Sequence, residues 1–308
     1  MTTSAQPLPL PRRGRGRRSG LRQGQRTAGL LFALPAILLV LGMTIVPLAQ
    51  AFWYSFTDWN GATANWVGLR NYRMIVTDPE LRQALINSAL ILASIPLGMI
   101  PAFVTAWFLS RDIRFGGLLK SLIFAPTALS WIVIGVVARQ VFANEGPLND
   151  TLTALGLGAL AVNWLASPTW AMVAVLFTFN AAVFGVNTVI FLTALSTIDR
   201  STIEAARIDG ASETRILIDI VLPAVRRFVE FVFIITMVAS FTGIFGMIFV
   251  MTGGGPGSST LTLEFAVWRR ALSTGAFGPG AAIGISLMLL ILIVIAGVRR
   301  LSRGKGDA

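Results

Sequence analysis

Six stretches of this chain are long and apolar enough to cross a lipid bilayer, and this limits the fold more than any other feature. A hydrocarbon core of about 30 Å needs roughly 20 apolar residues in a helix. The stretches cover residues 30–54, 84–109, 119–142, 170–195, 228–251 and 281–298. Each is apolar around its whole circumference, unlike a one-sided surface helix. In hydrocarbon every backbone N–H and C=O must be satisfied within the segment, so the expected fold is an all-α membrane protein with six transmembrane helices. Pro35, Pro47, Pro96, Pro101 and Pro126 fall in or near the spans and predict kinked, packed helices. The first stretch is too long for a removable signal peptide and lacks a small-residue cleavage site, so it reads as a retained span.

Composition removes several chemistries. The 308 residues include no Cys and no His, so disulfides, thiolate nucleophiles, a Ser–His–Asp triad and the usual zinc and haem ligands are excluded. No metal site is expected. Only 13% of residues are charged, against about a quarter in soluble domains. Net charge is nevertheless +11, and Lys120 and Lys305 are its only lysines.

The basic residues are distributed unevenly. With residues 1–27 on the cytoplasmic side, 19 of the 25 Lys and Arg lie inside and six outside. Both termini are therefore expected in the cytoplasm. Residues 1–27 form a basic tail expected to be disordered, residues 28–300 the six-span domain and residues 301–308 a second tail. The run Arg12–Arg18 has a composition that suits RNA or acidic lipid. As the only such cluster it reads as a topogenic tail, and no nucleic-acid partner is expected.

One cytoplasmic connection, residues 196–227, is too long for a hairpin turn and too patterned for a linker. Ser201 or Thr202 suits a helix start, followed by Glu204, Ala205 and Ala206. Gly210 offers a stop or bend. A second amphipathic turn then places Ile216, Ile220 and Val221 near one face, before Leu222–Pro223 ends it. Ala205, Ala206 and Ala211 would admit a partner's backbone, and Glu204 and Asp209 could meet basic groups on it. Physics alone leaves this docking loop and a plain interfacial helix both open.

The run Glu204-Ala205-Ala206, Gly210, Ile220, Leu222-Pro223 resembles the EAA loop of permease subunits in bacterial ABC importers, and it sits at the expected place, after the fourth span. Met251–Pro256 resembles the TGGGP turn of the carbohydrate-uptake branch of the maltose/glycerol-3-phosphate type. Gly185-x-Asn187, Ile190-Phe191-Leu192, the stretch from Phe52 to Asn60 and Val67–Tyr72 also resemble that branch. The resemblance implies that Glu204, Ala205, Ala206, Asp209, Gly210, Ala211, Leu222 and Pro223 form a coupling surface for a cytoplasmic ATPase subunit. It also implies a second permease subunit in a heterodimer, two ATPase subunits, an extracytoplasmic solute-binding protein and a sugar or related polyol as solute, all at the bacterial inner membrane. The chain has no phosphate-binding loop of its own, so ATP and Mg would sit on the partner ATPases and no cofactor on this chain.

Within the spans, ionisable groups are reduced to Glu230 and Arg139, each near a membrane edge. A proton-coupled secondary carrier for a neutral solute, the alternative function, would need carboxylates at mid-membrane. A membrane-embedded hydrolase would need an acid/base pair, so no catalytic residue is expected. The spans do carry neutral polar and aromatic side chains. Phe179, Asn180, Val183 and Asn187 in the fourth and Thr236 and Ser240 in the fifth are the candidate pathway residues, since sugars are held by amides, hydroxyls and aromatic faces. Such residues also serve as helix-to-helix glue. The sequence departs from the family at Ser196 (usually Gln), Asp199 (Pro), Val186 (often Phe), Gly246 (often acidic) and around Phe179–Ala181 (often Trp). Except for Ser196 and Asp199, these departures lie near the expected pathway and leave the solute's identity open.

Overall fold

The computed structural model describes residues 17–111 and 114–303. The chain divides into two compact units at residues 51 and 52. Helix α1 (Arg17–Tyr54), whose last turn falls in the second unit, carries Pro35 and Pro47 inside it, and its part from Leu31 to Tyr54 is long and apolar enough to span. The helix starts at Arg17, so the described part of the tail expected to be disordered is helical. Arg, Gln and Leu there are good helix formers and extend the apolar segment backward.

The second unit is also helical, and among the described residues its only β pairing is the isolated bridge Thr57–Trp66. A short α2 (Arg70–Thr77) leads into α3 (Pro79–Leu109), which Asp78 caps by accepting from the Glu80 N–H and which begins with Pro79. Next come α4 (Gly116–Phe124), α5 (Trp131–Val141), α6 (Pro147–Ala154) and α7 (Pro168–Leu195). The connection after α7 holds α8 (Arg200–Ile208) and α9 (Glu213–Arg215), then a π-helical turn over Ile216–Val221 and α10 (Leu222–Ala224). The rest is α11 (Arg226–Thr242), α12 (Ile244–Met251), α13 (Leu263–Trp268) and α14 (Phe277–Arg303).

Among the described residues four helices are unbroken candidate spans, and two bent pairs bring the number to six if each pair is one crossing. The pairs are α4–α5, bent by 101° after the turn at Ala125–Ala128, and α11–α12, bent by 49° at Gly243. With each pair taken as one crossing, the third and fifth expected spans are broken rather than merely kinked. Pro126 explains the first break, because it lacks an N–H and cannot continue a helical ladder. The second depends on a tertiary contact: a Cβ on Gly243 would lie 2.3 Å from the Trp131 indole nitrogen.

The core lies where α3 runs along α7 and α5 packs on α12. Ile91, Ile95, Ala102 and Ala106 from α3 meet Ala174, Val175, Phe179 and Phe191 from α7, all buried. Many are small, as expected where lipid is as apolar as the side chains and close backbone approach drives packing.

Outside the spans, one cluster organises the loop after α1. Asn71, buried, donates to the Ser55 carbonyl at 2.9 Å and the Thr57 carbonyl at 2.8 Å, while the Tyr72 hydroxyl meets Ser55 Oγ at 2.6 Å. Phe56 stacks on Trp66, and Tyr54 on Trp59. The Asn-Tyr pair at the start of α2 is therefore a clasp, which accounts for the pattern seen in the sequence.

Candidate functional site

The loop between α7 and α11 is built by two caps and one glycine. Helix α8 starts at Asp199, whose carboxylate accepts from the Ser201 N–H at 3.0 Å, so neither Ser201 nor Thr202 is the cap. Aspartate at this position satisfies an orphan donor that a proline would leave open. The helix ends on Gly210 at φ +83°, with Gly210 N–H donating to Arg207 O and Ala211 N–H to Ala206 O, both at 3.0 Å. This is the paired closure of a left-handed C-terminal turn, which a β-carbon disfavours. Ser212 then caps the next helix through the Arg215 N–H.

These caps decide which side chains face outward. Ile203, Ala206 and Ala211 pack against the core, and Ile216 and Val221 are fully buried. Glu204, Ala205, Ile208, Asp209 and Gly210 are exposed, with Ile208 86% exposed. Ala206 and Ala211 thus anchor the loop instead of facing outward. Leu222 and Pro223, also exposed, do not end the second helix as expected. They continue it after the π-helical turn, whose looser ladder accommodates a residue without an N–H.

Glu213 ties the loop down. Its carboxylate accepts from Arg207 Nε at 2.9 Å and from Arg111 at the end of α3. The Arg207 hydrogen bond, with the Arg111 charge beside it, holds the Glu213 carboxyl below its ordinary value. Sequence reasoning passed over this residue, although the Gly-Ala-Ser-Glu run carries a helix-start signal.

A second feature lies among α5, α7 and α11. A cavity of about 200 Å³ is lined by Thr127, Leu129, Trp131, Val183, Asn187 and Thr236, among others. Thr236 donates to Asn187 Oδ1 at 3.0 Å. Phe179, fully buried, stacks on Trp131 with centroids 6.0 Å apart. Of the six candidate pathway residues the cavity brings together Val183, Asn187 and Thr236, with Phe179 behind Trp131. Asn180 points elsewhere, donating to Ser94 Oγ at 3.0 Å and Leu176 O at 2.8 Å. Ser240 is buried and donates to Met237 O. Thr127 and Leu129 escaped the sequence reading because only the break after α4 turns them toward this space.

The hairpin after α12 contains the expected tight turn, with Gly253, Gly254 and Gly257 at positive φ. Asn87 of α3 holds it by donating to the Ser258 and Leu261 carbonyls, at 3.0 and 2.8 Å. Arg269 pairs with Glu80, and Arg270 with Asp78 at 2.6 Å. Glu264 of α13 reaches the break in the fifth span and accepts from the Phe245 N–H at 3.1 Å. Its carboxylate thus caps the first turn of α12.

Among the described residues no cluster of three or more acidic side chains could hold a metal ion.

Residues 94–306 match the family described as the binding-protein-dependent transport system inner membrane component. A diacetylchitobiose uptake system permease of Streptomyces coelicolor is 31% identical, covering all of this chain and 92% of the relative. A multiple sugar-binding transport system permease of Streptococcus mutans is also 31% identical, over 90% of this chain and 95% of its own length. A lactose transport system permease of Rhizobium radiobacter is 28% identical over 91% and 94%. In fold the chain is similar to a chain of a bacterial alginate ABC transporter solved with an alginate pentasaccharide-bound periplasmic protein. That match has a TM-score of 0.76 at 17% identity and covers 96% of this chain and 99% of the other. With its apolar helices, its capped loop between α7 and α11 and the cavity among α5, α7 and α11, the chain belongs to the family of binding-protein-dependent transport system inner membrane components.

Proposed function

We propose that this chain is the non-catalytic permease subunit of an ATP-driven importer and forms half of the translocation pathway for a sugar or related polyol. A second permease would supply the other half. Two ATPase subunits carrying ATP and Mg would drive it, and an extracytoplasmic binding protein would deliver the solute. The named relatives take up or bind sugars and oligosaccharides, which supports the solute class. A small cavity with an amide, a hydroxyl and an indole suits a polyhydroxylated neutral molecule. Both termini face the cytoplasm in this reading.

One observation carries the coupling role. Helix α8 is capped at both ends and anchored through Ile203 and Ala206, yet leaves Glu204, Ala205, Ile208 and Asp209 uncovered. A rigid exposed element with an apolar tip and flanking carboxylates is suited to transmit the push of a docked subunit. Gly210→Val tests it. No atom lies within 4 Å of a Cβ at Gly210, so the change acts through backbone geometry alone. Holding valine in the left-handed region that Gly210 occupies costs about 1–2 kcal/mol, so the turn either carries that strain or rearranges. In the complete importer, solute-stimulated ATP hydrolysis and uptake should both fall while the chain still inserts. Normal values for both would refute the coupling assignment.

A further inference from the structure

A cavity of about 460 Å³ opens at the cytoplasmic end of the second unit, behind the coupling helix. Its wall joins Trp107 and Arg111 at the end of α3, Lys120 of α4, and Arg200, Glu204 and Arg207 of α8. Among the described residues the lining holds four cations and one carboxylate; Arg200 is itself engaged, and Glu213 bridges Arg111 and Arg207 at the rim. The Arg111 guanidinium also lies over the Trp107 ring, 5.2 Å from its centroid. A guanidinium carries five N–H donors, so the bond to Glu213 orients these groups without exhausting them. Lys120 makes no ion pair among the described residues. A second wall is apolar, formed by Leu192 and Leu195 at the end of α7.

We infer that this cavity binds the phosphate of an anionic phospholipid from the cytoplasmic leaflet. Charge selects a phosphate, because the described lining is net positive and its Lys and Arg donors match phosphate oxygens. Position selects a lipid over a free phosphate. The cavity sits where the second and fourth spans end, at headgroup depth, and its leucine wall would accept the start of the acyl chains beside a buried Trp. A lipid seated here would touch α3, α4 and α8 together and brace the coupling helix from behind. Only this bracing rests on the proposed coupling role; the binding does not.

The test uses the complete importer in nanodiscs of phosphatidylcholine with or without phosphatidylglycerol. Native mass spectrometry should show phosphatidylglycerol retained on the permease in preference to phosphatidylcholine. Lys120→Gln should reduce that retention about fivefold, the order expected for one basic residue near an anionic headgroup, and Lys120→Arg should restore it. Equal retention by wild type and Lys120→Gln would overturn the site. So would replacement of the lipid by soluble glycerol phosphate, which would make it a site for free phosphate. Unchanged lipid retention with weaker binding of the ATPase subunit in Lys120→Gln would also overturn it, by assigning the cavity to that interface. Retention is read without transport or hydrolysis, so it can fail or hold whatever Gly210→Val shows.

Discussion

At the scale of single residues, a few side chains each hold a local geometry that longer elements depend on. Asn71 is the clearest case outside the spans, as one amide group satisfies two carbonyls in a buried loop. Asn71→Ala should orphan both and cost about 1–3 kcal/mol, read as a lower midpoint in thermal unfolding of the purified complex. Glu264 does the converse, supplying an acceptor to the Phe245 N–H at the broken fifth span. Glu264→Leu should leave that donor unpaired and cost about 1–3 kcal/mol by the same measurement, with Glu264→Gln, which keeps an acceptor, costing less. Asn180 and Asn187 show how far residue type alone goes. Both are amides on one helix, seven positions apart, yet Asn187 lines the cavity while Asn180 is bonded to Ser94 of α3.

At the scale of elements, the loop between α7 and α11 is braced as well as capped. Its brace is the bond set of Glu213 with Arg207 and Arg111, which joins α8, α9 and the end of α3. Since folding lowers the Glu213 pKa, the brace contributes fully above the ordinary glutamate value near 4.5 and is lost as pH falls through the lower folded value. The protection of the α8 amides, taken relative to their intrinsic exchange rate at each pH, should therefore fall as the pH is lowered below about 4.5, and Glu213→Gln should show the weaker protection already at neutral pH. An unchanged exchange profile in that variant would mean that the caps alone hold α8. The broken spans follow a similar logic. Trp131 occupies the space left by the absent Cβ of Gly243 and stacks on Phe179, so one ring links the breaks in the third and fifth spans.

At the scale of the whole molecule, charge placement sets the expected orientation. The absence of cysteine makes it testable with single introduced thiols. In intact cells a membrane-impermeant maleimide should label Asp150→Cys and spare Arg300→Cys, and permeabilisation should expose both. The reverse pattern would invert the topology. The aqueous path itself is divided between subunits in the proposed assembly, consistent with the small cavity seen in this chain.

Much of the fold was legible because two signals are local. Apolar runs of about 20 residues have few alternatives to a membrane helix, and the residues after Glu-Ala-Ala marked the turn at Gly210. The breaks were less legible, since Gly243 reads as an ordinary span glycine until Trp131 is brought beside it. Hydropathy, charge asymmetry and glycine at the end of α8 were written in the sequence because each acts through the bilayer or through neighbouring backbone. Which asparagine reaches the cavity, which alanines anchor the loop, and where four basic groups converge were decided only by tertiary packing. Those outcomes depend on contacts between residues far apart in the chain, which no local pattern encodes.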